Sequence, residues 1–127
     1  MKKTILAIDD SRPILALLHV LLNRQFEVSV ASSAFDAMLW LNNGNTPDLI
    51  ISDIQMPEID GWEFIANLRT SLVYGNIPII VLSGSDQQQV EDECEKYGIT
   101  DYLPKPFDPK MLLNKITHVL EGKLAVQ

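Results

Sequence analysis

A chain of 127 residues has the usual length of one domain and can bury a single core without disulfides or a structural metal. Seventeen acidic against ten basic residues give a net charge of −7, which argues against direct binding of a phosphate backbone. The single cysteine, Cys94, cannot form an internal disulfide, and the apolar runs are too short for a signal peptide or a membrane span. These features predict one domain over residues 1–127, with a core at about 3–121, in the reducing cytoplasm.

Short apolar runs rich in β-branched residues recur along the chain and predict β-strands. They cover residues 4–8, 27–31, 49–52, 77–82 and 101–103. Their spacing of roughly twenty to twenty-five residues is typical of strands that are each followed by a crossover helix. Several runs are almost continuously apolar, which indicates strands covered on both faces of a sheet.

The first intervening segment carries the signals of an amphipathic helix. Ser11 can cap it, and Pro13 falls in the first turn, where a missing N–H is harmless. An apolar stripe at helical spacing is formed by Ile14, Leu17, Leu18, Leu21 and Leu22. This stripe is predicted to face the core.

Later helices are bounded by capping residues, glycine or proline. They are predicted over residues 33–43 before Gly44, after Gly61, over about 86–97 before Gly98, and from about 108 with Pro109 in the first turn. Right-handed crossovers then predict an α/β fold, a doubly wound, three-layer (βα)5 domain with a parallel sheet in the order 2-1-3-4-5. Ligands of such sheets bind at the carboxyl ends of the strands, beside the first and third.

Polar residues follow the predicted strands at this edge of the sheet. They are Asp9 and Asp10 after the first strand, Asp53 after the third, Ser83 after the fourth and Lys105 beyond the fifth. Each has an ordinary explanation alone, such as a helix cap, a turn or a surface charge, but their joint placement favours a site. Clustered carboxylates without nearby His or Cys indicate Mg²⁺. With an ammonium and a hydroxyl opposite, the set fits phosphoryl transfer to Asp53.

These residues, the segment 53–61 (DIQMPEIDG) and the pair Lys105-Pro106 resemble the signature of response-regulator receiver domains. The resemblance to this CheY-like family of two-component phosphorelay systems covers essentially the whole chain. It implies the flavodoxin-like form of the fold. It further implies a domain that accepts a phosphoryl group on Asp53 from a histidine kinase or histidine phosphotransfer protein, with Mg²⁺, and then controls a partner or output.

The resemblance also implies which residues hold the cofactor. Asp10 and Asp53 would bind Mg²⁺ directly, together with the backbone carbonyl of Gln55, and Asp9 would act mainly through water. Lys105 would pair with the charge of the phosphoryl group.

Further roles in switching follow from the same resemblance. Ser83 would hydrogen-bond the phosphoryl oxygen, Tyr102 would turn inward as the Ser83 hydroxyl moves, and the Lys105–Pro106 bond would be cis. Gln55 and Ser85 would tune the lifetime of the aspartyl phosphate.

The implied output surface is formed by helix 4, strand 5 and helix 5, and the sequence leaves open a homodimer formed on phosphorylation. Leu15 and Val20 are apolar residues of the first helix outside the stripe, and chance exposure of single apolar side chains is the favoured interpretation. The alternative is that Leu15, with His19, forms part of a docking face for the phosphoryl donor. The acidic run 91–93, with Glu95, is interpreted mainly as a solvated helix face, with selection of a basic partner surface as the alternative.

Three alternatives remain open. A phosphatase of the haloacid-dehalogenase type needs a second aspartate two residues after the nucleophile, where this chain has Gln55 after Asp53 and Ser11 after Asp9. A nucleotide- or flavin-binding module needs a glycine-rich phosphate loop, which does not follow the first strand. A docking-only receiver is disfavoured by the intact acidic residues. A signalling domain without turnover of an external substrate is therefore predicted.

Overall fold

The computed structural model describes residues 2–56, 60–84 and 86–125, with side chains described as far as residue 121. Within these ranges five strands alternate with five helices. They are β1 Thr4–Ile8, α1 Arg12–Leu22, β2 Glu27–Ala31, α2 Ala34–Asn42, β3 Leu49–Asp53, α3 Gly61–Arg69, β4 Ile79–Ser83, α4 Gln87–Lys96, β5 Asp101–Pro104 and α5 Pro109–Ala125. The predicted alternation of strand and helix is confirmed.

The strands form one parallel sheet in the order β2-β1-β3-β4-β5, as predicted. The chain reverses its winding direction between β1 and β3, which are neighbours in the sheet. Their register pairs Ile8 with Ser52, so the residues that follow both strands leave the sheet side by side. This is the edge where ligands bind in doubly wound folds.

Hydrophobic side chains fill both faces of the sheet because successive residues of a strand point to opposite sides. In β1, Leu6 and Ile8 pack toward α2, α3 and α4, whereas Ile5 and Ala7 pack toward α1 and α5. The three-layer architecture follows from this alternation. Cys94 is buried in the layer of α4, and burial, together with nearby acidic residues, raises its pKa to about 11, so the thiol is a core group.

The predicted buried face of α1 is confirmed at Leu18 and Leu22, with Ile14 and Leu21 packed beside them, but is wrong at Leu17. The helix buries Leu15, Leu18 and Leu22, whereas Leu17, assigned to the stripe, is 45% exposed. Almost every residue from 14 to 22 is apolar, so the sequence pattern does not distinguish one face of the helix from another. Leu15, interpreted as exposed either by chance or as part of a docking face, belongs to the core, so both interpretations of it are wrong.

Several element ends differ from the prediction by a few residues. β4 begins at Ile79 rather than at residue 77, because the amide of Ile77 donates to the Tyr74 carbonyl in a turn and Pro78 has no N–H. The last helix extends to Ala125, past the expected core limit of residue 121. No helix within the described ranges is both long enough and apolar enough to cross a lipid bilayer.

Candidate functional site

The strand ends place the predicted site residues at one edge of the sheet. Asp9 follows β1 and is fully buried, whereas Asp10 beside it is exposed at the rim. Asp53 is the last residue of β3 and is only 2% exposed. Ser83 ends β4, directly after the residue that pairs with Asp53, and Lys105 follows β5. The topology therefore assembles residues that are far apart in the chain.

Asp9, Asp10 and Asp53 form an acidic cluster. Each offers a carboxylate oxygen, and these oxygens lie within 4.8 Å of one another. Negative charges so close together repel unless a cation lies among them. The donors are all oxygen, which favours a hard cation such as Mg²⁺ over zinc. The cluster can therefore hold a metal ion.

The ammonium of Lys105 lies between the two buried carboxylates. Its Nζ is 2.7 Å from Asp9 Oδ2 and 3.2 Å from Asp53 Oδ2. The backbone holds this arrangement, because the amide of Lys105 donates to the Ser83 carbonyl at 2.8 Å. The peptide bond between Lys105 and Pro106 is cis. Lys105 thus supplies part of the positive charge that the acidic cluster requires.

The two oxygens of Asp9 have different environments. Oδ1 accepts a hydrogen bond from the amide of Ser11 at 2.9 Å. Oδ2 is fully buried and lies 2.7 Å from the Lys105 ammonium, and the described residues offer it no further hydrogen-bond donor. One ammonium faces three clustered carboxylates, so negative charge and acceptor oxygens remain for a bound cation or a water on that cation. The residues present therefore fit a metal.

Burial and charge shift the proton equilibria of this site. Burial raises the pKa of Asp53 above its ordinary value, and the charge of Asp9 adds to it, against the hydrogen bond from the Gln55 amide at 3.0 Å and the attraction of Lys105. Burial alone would lower the pKa of Lys105, but its contacts with Asp9 and Asp53 outweigh burial and raise it. Lys105 is therefore a cation at neutral pH.

The raised pKa of Asp53 leads to a prediction about stability. We expect its carboxylate to make the metal-free protein less stable as the pH rises from about 4 through the raised pKa, because the unfolded chain loses this proton first. Urea unfolding in EDTA, at several pH values from about 4 to 7, should show a smaller loss in Asp53→Asn than in the wild type. Parallel curves for the two proteins would contradict this assignment.

Ile54, directly after β3, is held against the start of α3. The amide of Gly61 donates to the Ile54 carbonyl at 3.1 Å, and Asp60 caps α3 by accepting from the amide of Trp62 at 2.9 Å. A Cβ at Gly61 would lie 2.4 Å from Ile54 Cα and 2.7 Å from the Asp53 carbonyl oxygen. The first turn of α3 therefore approaches the acidic strand end too closely for any side chain.

The remaining predicted residues lie around this centre. Gln55 is exposed, and Tyr102 is partly buried on β5. Ser85 lies outside the described residues, as does Pro57 of the segment 53–61.

One contact was missed at the sequence level. The hydroxyl of Tyr102 donates a hydrogen bond to the carboxylate of Glu91 on α4. The acidic run 91–93 was predicted to be mainly a solvated face, and nothing in the local pattern connects Glu91 with a residue on β5. Only the packing of α4 beside β5 reveals this pair.

The fold and the site together define a class of protein: a doubly wound α/β domain with an acidic cluster at the winding switch that is paired with a lysine and able to hold a cation. Comparison with known proteins identifies the family. The family model for the response regulator receiver domain matches residues 5–117. The chain therefore belongs to the response-regulator receiver domains of two-component signalling systems, with their CheY-like fold.

Similar proteins include both kinases and regulators. The chain is 29% identical to Histidine kinase P4 of Formosa agariphila over 126 residues, and 34% identical to the two-component response regulator ARR10 of Arabidopsis thaliana over 118 residues. These matches span 99% and 91% of this chain but only 9% and 21% of the length of the two relatives. A solved structure, chemotaxis response regulator CheY4 of Vibrio cholerae, is 32% identical with a TM-score of 0.84, covering 94% of this chain and 99% of that one.

Proposed function

We propose that this receiver domain accepts a phosphoryl group on Asp53 in a Mg²⁺-dependent reaction and then changes conformation to control a partner or output. The main support is the position of the buried Asp53 carboxylate, 3.2 Å from the Lys105 ammonium and within an acidic cluster able to hold a cation. This arrangement would bring a nucleophile, a charge partner and a metal site to one point. Phosphoryl transfer requires these same three elements.

In this mechanism an oxygen of Asp53 attacks the phosphorus of the donor, and the bond from phosphorus to the donor's leaving group breaks. Asp10, Asp53 and the backbone carbonyl of Gln55 would hold Mg²⁺, with Asp9 acting mainly through water. When bound, the ion neutralises charge on the phosphoryl oxygens. Lys105 lies close enough to Asp53 to transfer its contact to a new phosphoryl oxygen.

The aspartyl phosphate would carry about two negative charges, where the carboxylate carried one, and would place three phosphoryl oxygens at the end of β3. Ser83 would hydrogen-bond one of these oxygens, and Tyr102 would turn inward as Ser83 moves. The surface formed by α4, β5 and α5 would then repack and present the signal to a protein partner or as a homodimer. Gln55 and Ser85 would tune the lifetime of the phosphoryl group.

The donor would be a histidine kinase or a histidine phosphotransfer protein in the cytoplasm. We further propose that the whole chain acts as one receiver unit, with its core over about residues 3–121. The net charge of −7 supports a role without direct nucleic-acid binding. The chain would turn over no external substrate, because Gln55 stands where a phosphatase of the haloacid-dehalogenase type needs a second aspartate.

Intact mass spectrometry after incubation with a small acyl phosphate and Mg²⁺ tests the proposal. We expect a single labile phosphoryl adduct on the wild type, and none on Asp53→Asn or without the metal, because each removes the nucleophile or its charge partner. Asp92→Asn is the matched control, since that exposed carboxylate on α4 lies outside the acidic cluster.

Two results would contradict the proposal. Labelling of Asp53→Asn equal to that of the wild type would place the acceptor elsewhere. No adduct on the wild type, under conditions that label an active receiver and with a histidine phosphotransfer donor also tested, would favour a docking-only domain.

A further inference from the structure

The hydroxyl of Tyr102 is held by the side of α4. It donates a hydrogen bond to the Glu91 carboxylate, and Gln87, one helical turn earlier, also contacts this hydroxyl. Tyr102 and Glu91 are both partly buried. The hydrogen bond to Glu91 is the largest cause of a raised pKa at Tyr102, followed by burial and the charges of Glu91 and Cys94, against Gln87. The helix therefore positions the tyrosine directly.

The Glu91 carboxylate contacts the Tyr102 hydroxyl rather than a basic side chain. Within residues 2–56, 60–84 and 86–121, Glu91 takes part in no ion pair. Its acidic neighbours on α4 have other partners: Glu93 pairs with Lys96 at 3.2 Å, and Asp92 accepts from Gln88 at 3.2 Å. The three acidic residues 91–93 therefore have different partners, and only Glu91 among them contacts Tyr102 of β5.

A small cavity lies beside the Tyr102 ring, toward the end of β4. It measures about 60 Å³ and is lined by Ser83, Gln87, Val90, Tyr102, Leu103 and Pro104. This volume holds a few water molecules but is well below the roughly 150 Å³ of an engineered cavity that accepts benzene, so it is too small for an aromatic ring as it stands. A ring that entered it would have to displace its lining. The Tyr102 side chain therefore borders two environments, the contact with Glu91 and this cavity.

We propose that Glu91 is a positioning residue for the switch: its carboxylate holds the Tyr102 hydroxyl on α4 in the unphosphorylated protein and limits entry of the ring into the cavity beside Ser83. The inference rests on the proposed function, in which Tyr102 moves when Asp53 is phosphorylated. It adds a residue of this chain that sets the resting equilibrium. A ligand shifts such an equilibrium only by its differential affinity for the two states, so a weaker hold makes switching easier.

The test follows the Tyr102 ring by ¹⁹F NMR of protein that contains 3-fluorotyrosine. The chain has three tyrosines, and Tyr102→Phe identifies the resonance. Without phosphoryl donor, Glu91→Ala should move the Tyr102 resonance toward its position in wild type treated with acyl phosphate and Mg²⁺. Loss of this hydrogen bond should raise the ratio of inward to outward rings about fivefold. Glu91→Gln, which keeps a neutral acceptor, should move it less.

Glu95→Ala is the matched control, because Glu95 lies one turn later on the same helix and is exposed. An unchanged resonance in Glu91→Ala, or the same displacement in Glu95→Ala, would overturn the proposal. Intact mass of the same samples separates the two hypotheses. Absence of the Asp53 adduct rejects the proposed function, whereas a normal adduct with an unmoved Tyr102 resonance rejects only the role of Glu91.

Discussion

Replacing Gly61 by alanine should lower the free energy of unfolding by about 3 kcal/mol or more. The added Cβ would lie 2.4 Å from Ile54 Cα and 2.7 Å from the Asp53 carbonyl oxygen, and both atoms belong to the backbone. A flexible side chain could move aside, but here α3 must separate from the end of β3. The hydrogen bond that the Gly61 amide donates to the Ile54 carbonyl, 3.1 Å in the native protein, would then be lost or lengthened. Urea unfolding measures the loss.

Other glycines of the chain provide controls for this prediction. At Gly84 the nearest atom to a new Cβ is Gln55 Oε1, an ordinary contact at 3.7 Å, so Gly84→Ala should change stability by less than about 0.5 kcal/mol. At Gly44 space is open but φ is +93°, and alanine should cost about 1 kcal/mol through backbone strain alone. A Gly61→Ala protein as stable as Gly84→Ala would show that the β3 to α3 approach adapts easily.

Replacing Lys105 by methionine should destabilise the metal-free protein by about 2–3 kcal/mol. The substitution leaves two buried carboxylates, Asp9 and Asp53, without the cation that lies 2.7 Å and 3.2 Å from their oxygens. The general cost of breaking a buried pair is larger, about 3–5 kcal/mol, but the Lys105 side chain is 20% exposed and water screens part of the effect. Urea unfolding in EDTA measures the difference from the wild type.

A second substitution and added Mg²⁺ distinguish the charge of Lys105 from its packing as the source of its stabilising effect. Adding Asp53→Asn to Lys105→Met should recover more than about 1 kcal/mol, because one of the uncompensated charges is removed. Mg²⁺ should stabilise Lys105→Met more than the wild type, since the ammonium that pairs with Asp9 and Asp53 is then missing from the acidic cluster. Equal stabilisation by Mg²⁺ in both proteins, with additive effects of the two substitutions, would mean that Lys105 contributes through packing alone.

Local sequence patterns were sufficient to predict the fold. The runs at 4–8 and 27–31 match β1 and β2 in both bounds, because β-branched apolar segments between turn residues have few other stable conformations. The strand order followed from chain handedness and the length of the crossovers. The start of β4 beside Pro78 was predicted less well, since a proline restricts the residue before it to extended conformations and removes a hydrogen bond of the strand ladder.

The convergence of the acidic residues and Lys105 could also be predicted, because the ends of parallel strands meet at one edge whatever their separation along the chain. Tertiary packing decided what local pattern leaves undefined. The nearly uniform apolar surface of α1 left the edge of its core face undefined, and only tertiary packing buried Leu15 and left Leu17 exposed. The contact between Glu91 and Tyr102 likewise depends on the orientation of α4 against β5, because side chains on separate elements meet only after the hydrophobic layers between those elements have packed.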